Sequence, residues 1–202
     1  MTARAEILGR IRSALRDVPA AESPADVPVD RPGPQPATPA DIGLFAERVA
    51  DYKAVVERCT AAELPGLLAA ALEGAPRVLV AAGLPVELRP AGAVVDEGLS
   101  TAELDAVDAV VTTAAVGIAE TGTIVLDHGP GQGRRAVSLV PDRHVCVVRE
   151  DQVVPDVAGA VARLDPVRAQ TWISGPSATS DIELDRVEGV HGPRTLHVLL
   201  VG

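Results

Sequence analysis

The chain has 202 residues, the length of one ordinary domain or of one domain with a short appendage. It carries 18 Lys and Arg against 28 Asp and Glu, so its net charge of −10 opposes binding to nucleic-acid backbones and anionic lipid surfaces. Only 1% of its residues are aromatic, which excludes a stacking platform for single-stranded nucleic acid.

Cysteine content and hydropathy exclude two further classes. Cys59 and Cys146 are too few to bind a metal or iron–sulfur cluster, and Cys146 in V-C-V-V is expected to be a buried core residue. No apolar run approaches the roughly 20 residues that span a bilayer, and the N-terminus lacks the apolar segment of a secretory signal. We therefore expect a cytoplasmic protein with no stable membrane insertion, no nucleic-acid partner and no cofactor of its own.

The N-terminal part of the chain separates into two segments. In residues 1–16, Ile7, Leu8, Ile11 and Leu15 recur at helical spacing and predict an amphipathic helix. Its apolar face suits packing on its own domain or a neighbouring subunit, and membrane-surface docking or organelle targeting are the alternatives. Residues 17–40 are proline-rich and predict a linker or extended strap, so the domain proper is expected over residues 41–202.

In that domain, β-branched runs alternate with runs rich in Ala and Leu. This alternation predicts an α/β fold with an open, mostly parallel sheet flanked by helices. The predicted strands are Tyr52–Arg58, Arg77–Ala82, Ala93–Asp96, Ala109–Thr113, Thr123–Asp127, Val137–Val140, Val145–Arg149, Thr171–Ser174 and Leu196–Val201. The predicted helices are one with Asp41 as N-cap and Phe45 on its apolar face, Ala62–Leu72, a short one after the capping box of Ser100 and Glu103, and Val154–Leu164.

The first polar segment that could carry chemistry is T-T-A-A-V-G-I-A-E-T-G-T, residues 112–123. It follows a buried strand, and loops at the carboxyl ends of parallel strands form the ligand crevice of such sheets. Glu120 could be a general base, a carboxylate nucleophile or an acceptor for a ligand hydroxyl. The structural alternative is a carboxylate that caps a helix or pairs with an arginine.

The second segment is D-H-G-P-G-Q-G-R-R, residues 127–135, where glycine N–H groups stand beside two guanidinium groups. Such a loop can hold a carboxylate or phosphate. It is not a dinucleotide fingerprint, because the glycines run G-x-G-x-G and no helix is expected to open after them. The structural alternative is a tight connection between strands with solvated arginines.

Two segments near the C-terminus are also rich in polar groups. S-G-P-S-A-T-S-D-I-E, residues 174–183, offers hydroxyls and Asp181 to a ligand, or simply helix N-caps. E-G-V-H-G-P-R, residues 188–194, contains His191, which could titrate near neutral pH or serve as a structural donor. The carboxylates and His191 together lack a recognised metal-ligand spacing, so no metal site is predicted.

Together, A-E-T-G-T-I-V-L, G-P-G-Q-G-R-R, S-L-V-P-D-R-H-V-C-V-V, G-P-S-A-T-S-D-I-E and G-V-H-G-P-R resemble the lactate utilisation protein C family, whose members carry the LUD domain. The resemblance covers roughly residues 41–202, and I-L-G-R-I-R-S-A-L is similar to the family's opening helix. It implies a fold akin to the sugar-isomerase and CoA-transferase superfamily. It also implies a role in oxidising L-lactate to pyruvate beside two companion proteins that carry the iron–sulfur clusters.

The resemblance and the polar segments together define the predicted site. The predicted catalytic residues are Glu120 and His191, and the predicted ligand-binding residues are Thr113, Thr121, Gly122, Thr123, Gly131, Gln132, Gly133, Arg134, Gly175, Ser177, Asp181 and Arg194. The leading hypothesis is a non-cluster subunit of an L-lactate dehydrogenase complex, in which Arg134 and Arg194 hold a small carboxylate or acyl ligand under Glu120. The alternatives are a stand-alone CoA-transferase-like or sugar-phosphate enzyme using Glu120, and a ligand-sensing or scaffolding module.

Overall fold

The computed structural model describes residues 2–17, 35–176, 178–179, 187–188 and 192–202. The chain divides into two compact units, residues 1–32 and 33–202. The first unit contains helix α1 (Ala3–Ala14), on which Ile7 and Ile11 are exposed. Residues 18–34, most of the predicted strap, lie outside the described residues. No helix in the described ranges is long and apolar enough to cross a membrane.

The second unit is built on a six-stranded sheet in which each neighbouring pair of strands is parallel. Its spatial order is β1 (Val55–Cys59), β12 (Thr195–Val201), β7 (Arg143–Arg149), β4 (Ala109–Thr113), β2 (Val78–Val80) and β3 (Val94–Val95). The inner strands read as nearly continuous apolar runs because helices and loops cover both of their faces. The α/β fold with a mostly parallel sheet is therefore confirmed.

Helices connect these strands. They are α2 (Pro39–Asp51), α3 (Leu64–Ala71), α4 (Thr101–Asp105), α5 (Arg135–Leu139) and α6 (Val157–Arg163), with short 3-10 helices at Val86–Leu88 and Glu150–Gln152. Helix α2 buries Ile42, Phe45 and Val49 in one apolar cluster, and α3 packs on a second. On β7 the first cluster takes Cys146 and Val148 and the second takes Val145 and Val147, so the two clusters lie on opposite faces of the six-stranded sheet.

A second, four-stranded sheet was not predicted. Its order is β8 (Val153–Val154), β5 (Val116–Ile118), β6 (Thr123–Leu126) and β9 (Thr171–Ile173). Strands β5 and β6 form an antiparallel hairpin whose turn carries Glu120 and Gly122. The two-residue strands β10 (Ala178–Thr179) and β11 (Val187–Glu188) pair antiparallel with each other. The strands predicted for one sheet are thus divided between the six-stranded and the four-stranded sheet, and most of the polar segment of residues 112–123 is a hairpin instead of one open loop.

Two local predictions were wrong. Val137–Val140 was predicted as a strand, but it lies in and after α5, because Ala136, Val137 and Val140 at helical spacing face a cluster around Leu104. A helix therefore does open after the glycines of residues 127–135. Asp41 is not an N-cap: Thr38 caps α2, and Asp41 is the third helical residue of a reciprocal capping box.

Most other boundaries agree with the predictions to within a few residues. The predicted strand Ala109–Thr113 is β4, and the capping box of Ser100 and Glu103 is present at α4. The predicted first strand begins too early, since Tyr52 is the C-cap of α2 and β1 starts at Val55.

Candidate functional site

The larger cavity of the second unit lies at the carboxyl ends of β2, β4, β7 and β12. We call it the sheet-edge cleft. It has a volume of about 860 Å³ and is lined by Ala61, Leu64, Gly83, Pro85, Glu87, Leu88, Thr113, Ala114, Ala115, Val116, Asp127, Gly129, Pro130, Gln132, Val147, Arg149, Gln152, Arg163, Leu164, Arg168 and Val201. This is the crevice in which open parallel sheets bind ligands. Of the predicted site residues, it contains Thr113 and Gln132.

The glycine-rich loop that borders the cleft is fastened to the strand ends. The Gly131 N–H donates to the carbonyl of Ala82 (2.9 Å), and the Thr113 N–H donates to the carbonyl of Gly131 (2.9 Å). Within the loop, the Asp127 N–H donates to Oε1 of Gln132 (2.6 Å) and the Gly129 N–H donates to Oδ1 of Asp127 (3.1 Å). The loop is therefore preorganised by its own hydrogen bonds.

The Gln132 side chain has a hydrogen-bond donor that is unpaired in the cleft. Gln132 is 6% exposed, its Oε1 is used by Asp127, and none of the described residues accepts a hydrogen bond from Nε2. Every fully buried side-chain nitrogen or oxygen of the described residues has a partner, so Nε2 keeps contact with solvent through the cleft. The Gln132 amide is therefore available to donate a hydrogen bond to a ligand in the sheet-edge cleft.

The arginines of the cleft are engaged by the protein itself. Arg168 Nη1 lies 2.7 Å from Oδ2 of Asp127, and Arg149 Nε lies 2.9 Å from Oδ1 of Asp151. Arg163 Nη1 donates to the backbone carbonyl of Asp151 (3.0 Å). These guanidinium groups would have to change partners before they could bind an anion.

A smaller cavity lies between α5, β9 and the first residues of β7 and β12. We call it the motif cavity. It has a volume of about 270 Å³ and is lined by Arg135, Ser138, Leu139, His144, Thr171, Trp172, Ile173, Ser174, Gly175, Pro176, Gly192, Pro193 and Leu196. Three of the polar segments singled out in the sequence reach it: residues 127–135 through Arg135, residues 174–183 through Ser174–Pro176, and residues 188–194 through Gly192 and Pro193. The segments therefore converge, although on a cavity that the sequence did not predict.

A buried polar cluster reaches the motif cavity through His144. His144 is 1% exposed, and its Nε2 lies 2.7 Å from Oγ1 of Thr112 on the neighbouring strand. The Thr112 hydroxyl also donates to Sγ of Cys146 at 3.7 Å. Burial lowers the pKa of His144 from 6.5 to about 4 and raises the pKa of the Cys146 thiol to about 12. Both groups are therefore uncharged at neutral pH, and the expectation that Cys146 is a core residue is confirmed.

The second ring nitrogen of His144 is open to the motif cavity. Within the described ranges, Nδ1 has no hydrogen-bond partner. Since fully buried polar atoms of these ranges all have partners, Nδ1 keeps contact with solvent, and the motif cavity is where His144 lines accessible space. His144 was missed as a site residue; the available signal was a polar residue at a core position of a buried strand.

Two adjacent arginines have different environments. Arg134 Nε and Nη2 donate to the carboxylate of Asp96 at 2.8 and 3.0 Å, and Nη2 also donates to the carbonyl of Leu99. The hydrogen bonds from Arg134 hold the pKa of Asp96 below its usual value. Arg135, by contrast, is exposed, lines the motif cavity and makes no ion pair with any residue the structure describes.

The predicted residues Glu120, Thr121, Gly122 and Thr123 lie at the β5–β6 turn and line neither cavity. The Glu120 side chain is exposed, and its N–H donates to the carbonyl of Pro155 (3.0 Å). Thr121, Thr123 and Ser174 form a chain of hydroxyl contacts of 2.7 and 2.8 Å. This chain connects the turn to the wall of the motif cavity, where Gly175 also lies.

Glu120 and Arg134 are not brought together. The turn of Glu120 packs against α2, which lies beside β1 at one edge of the six-stranded sheet. Arg134 is bound to Asp96, directly after β3 at the opposite edge. Arg194 Nε lies 3.4 Å from Oδ1 of Asp142, away from both. Ser177, Asp181 and His191 lie outside the described residues, so their roles stay predictions.

In the described ranges, no three His, Cys, Asp or Glu side chains are grouped closely enough to hold a metal ion. Cys59 and Cys146 are both buried, and neither forms a disulfide.

A family model described as the LUD domain matches residues 94–201. A protein named lactate utilization protein C from Deinococcus radiodurans is 50% identical over 208 residues, which cover 99% of this chain and 96% of the relative. The chain belongs to the lactate utilisation protein C family. A family member from Halalkalibacterium halodurans is 37% identical over 91 residues, covering 41% of this chain and 39% of the relative.

The fold of this family member also resembles a solved structure. A crystal structure of a DUF162 family protein from Deinococcus radiodurans matches with a TM-score of 0.70 and 46% identity, covering 83% of this chain and 100% of the other. All residues that line the motif cavity fall inside the LUD match, whereas the sheet-edge cleft also uses residues before it, such as Leu64 and Gly83.

Proposed function

We propose that this protein takes part in lactate utilisation by binding a small carboxylic acid of the lactate type in the motif cavity. The observation that carries the proposal is the convergence of three polar segments on a cavity that contains an unpaired arginine, Arg135, and an unpaired imidazole nitrogen of His144. A guanidinium group is the side chain best suited to a carboxylate, which it can bind through two parallel hydrogen bonds.

The size of the motif cavity supports a small ligand. Its 270 Å³ lies just under the roughly 300–1,000 Å³ of cavities that take drug-sized molecules. Its walls combine apolar groups, such as Leu139 and Leu196, with the hydroxyls of Ser138, Thr171 and Ser174. A three-carbon acid has the same composition: a methyl group, a carboxylate and one further oxygen.

The proposed role is that of a subunit without a cluster of its own. Oxidation of lactate to pyruvate releases two electrons and two protons, and we propose that iron–sulfur clusters of partner proteins accept the electrons. This chain would hold the acid. The family resemblance supports these partners, and their co-purification with the tagged protein from lactate-grown cells is the expected result.

The binding step can be tested by calorimetric titration of the purified protein with L-lactate and with pyruvate. We expect Arg135→Ala to weaken the binding of both acids about 10- to 100-fold, the effect of losing one charged hydrogen-bonding partner. Arg77→Ala is the matched control, because Arg77 is also an exposed arginine but contacts Asp108 away from the cavity. Equal affinities in wild type and Arg135→Ala would contradict the site, and no binding of either acid to the wild type would contradict the function.

The cellular role can be tested by deleting the gene. The deletion strain should fail to grow on L-lactate and grow normally on pyruvate, and wild-type protein but not Arg135→Ala should restore growth. Normal growth of the deletion strain on L-lactate would overturn the proposal.

A further inference from the structure

The hydrogen bonds among His144, Thr112 and Cys146 decide which ring nitrogen of His144 carries the proton. Thr112 has a single hydroxyl proton, and it donates that proton to Sγ of Cys146. We assign the Thr112 oxygen as the acceptor in the 2.7 Å contact with Nε2 of His144, which makes Nε2 the protonated ring nitrogen. In a neutral imidazole the other nitrogen is an acceptor. His144 therefore presents the lone pair of Nδ1 to the motif cavity.

The strand pairing holds this ring in place. Thr112 on β4 is the direct partner of Cys146 on β7, and His144 is two residues before Cys146, on the same face. A ring that is 1% exposed and bonded across two central strands has little freedom to turn. The acceptor is thus fixed in the wall of a cavity that Arg135 also lines.

We propose that Nδ1 of His144 accepts a hydrogen bond from the hydroxyl of a 2-hydroxycarboxylate in the motif cavity, which makes the cavity selective for 2-hydroxy acids over 2-oxo acids. This inference rests on the proposed function, since it assumes that a small acid binds beside Arg135. A 2-hydroxy acid has a proton to donate to Nδ1. A 2-oxo acid has only a carbonyl oxygen at that position, which would face the lone pair of Nδ1 and repel it.

The other groups around the cavity keep this preference in force at neutral pH. Thr112 contacts the His144 ring and also the Cys146 thiol, and the motif cavity that His144 lines carries the hydroxyls of Ser138 and Thr171 and the guanidinium group of Arg135. Among these described groups only Arg135 is charged at neutral pH, and burial lowers the pKa of His144 to about 4. His144 therefore stays a hydrogen-bond acceptor in the pH range where the protein binds its ligand.

The first experiment compares three ligands of similar size by calorimetric titration: L-lactate, pyruvate and propionate. We expect wild-type protein to bind L-lactate about ten times more tightly than either of the others, the value of one good hydrogen bond. In His144→Leu the three affinities should become equal, while the dependence on Arg135 persists. An unchanged ratio in folded His144→Leu would overturn this inference and leave the proposed function standing, whereas no binding of any acid to the wild type would overturn both.

The second experiment keeps the histidine and changes its partner. Thr112→Val has nearly the same shape but removes the oxygen that accepts from Nε2, so the ring can adopt the other protonation pattern. We expect the preference for L-lactate over pyruvate to disappear in Thr112→Val, although both acids still bind. If Thr112 had only a structural role, Thr112→Val would lower the affinity for all three ligands by the same factor.

Nitrogen-15 spectra of histidine-labelled protein test the proton position directly. The signal assigned to His144, identified by its loss in His144→Leu, should show a protonated Nε2 and an unprotonated Nδ1 at pH 7. L-lactate should shift the Nδ1 resonance, and propionate should not. A protonated Nδ1 in the free protein would overturn the inference.

Discussion

The sheet-edge cleft and the motif cavity differ in size and in the state of their polar groups. The sheet-edge cleft is about three times larger than the motif cavity, 860 against 270 Å³, and lies where the topology of a parallel sheet favours a ligand. Its arginines, however, are already bound to Asp127 and Asp151. The motif cavity is small and lies at the other end of the strands, but Arg135 and His144 each have an unused hydrogen-bonding group there.

This comparison shows that volume and topology are weaker signs of a small-ligand site than unpaired polar groups. A charged group that has a partner in the empty protein must lose it before binding, which reduces the gain from a ligand. An unpaired group gives up only its contact with water when a ligand binds, and it need not break a hydrogen bond within the protein. We therefore place the small acid in the motif cavity and leave the cleft for a separate role of its Gln132 amide.

The largest expected effect distinguishes how the two cavities are built. Gly175, beside the motif cavity, has φ of +81°, and a Cβ there would lie 2.5 Å from Cβ of Tyr52 and 2.8 Å from its carbonyl oxygen. Gly131, beside the cleft, would place its Cβ 2.9 Å from the end of the Thr113 side chain. We expect Gly175→Ala to lower the free energy of unfolding by about 3 kcal/mol or more and Gly131→Ala by less, about 1–2 kcal/mol.

Urea unfolding measures both values. Gly43→Ala is the matched control, since a Cβ at this helical position has open space around it and should raise stability by up to about 1 kcal/mol. Equal losses for Gly175→Ala and Gly131→Ala would mean that the wall of the motif cavity yields as easily as the cleft.

The next effect concerns pH. The pKa of His144 is about 4 in the folded protein and near 6.5 in the unfolded chain, so between these values the unfolded chain binds more protons. The contribution of the neutral His144 ring to the free energy of unfolding is fully present above pH 6.5. It is lost as pH falls towards 4, by up to about 3 kcal/mol. Urea unfolding between pH 4 and 7 should show this slope in wild type and in Cys146→Ala, but a flatter one in His144→Leu. The same slope in all three proteins would show that another group dominates.

Much of the fold could be predicted because its elements are local. Alternation of apolar strands and helical runs predicted the parallel sheet, and the capping box predicted α4. The hairpin β5–β6 was missed because its strands belong to a second sheet. The outer strands of that sheet, β8 and β9, come from residues 153–173, which are distant in sequence. The strand predicted at Val137–Val140 failed because β-branched residues suit either structure, and helical spacing against Leu104 decided between them.

The candidate site could be predicted only in part. The sequence indicated the polar segments that reach the motif cavity, but it could not tell which of two adjacent arginines would be used by the protein itself. Asp96 lies 38 residues before Arg134, and only the sheet brings them together. His144 was passed over because a single sequence does not show that Thr112 takes one ring nitrogen and leaves the other open.

Arg134 and Arg135 give the sharpest internal test of the comparison. The Asp96 side chain is 7% exposed and would be left unpaired in Arg134→Ala, which should cost about 2 kcal/mol of stability; the 43% exposure of Arg134 keeps the effect below that of a fully buried pair. Arg134→Ala should nevertheless bind L-lactate normally. Arg135→Ala should do the reverse, with normal stability and weak binding. Thermal unfolding and titration of the two variants, side by side, decide which arginine is structural.

The smallest expected effect comes from the cleft. Asp127 is 16% exposed on its side chain and Arg168 42%, so Arg168→Ala should lower stability by only about 1 kcal/mol. Because the guanidinium group of Arg168 is already paired with Asp127, its loss should leave the dissociation constants of L-lactate and pyruvate unchanged. If the affinity for these acids instead fell in Arg168→Ala and stayed normal in Arg135→Ala, the acid would bind in the sheet-edge cleft. Arg168 would then have to exchange Asp127 for the ligand, and the order of the two cavities would be reversed.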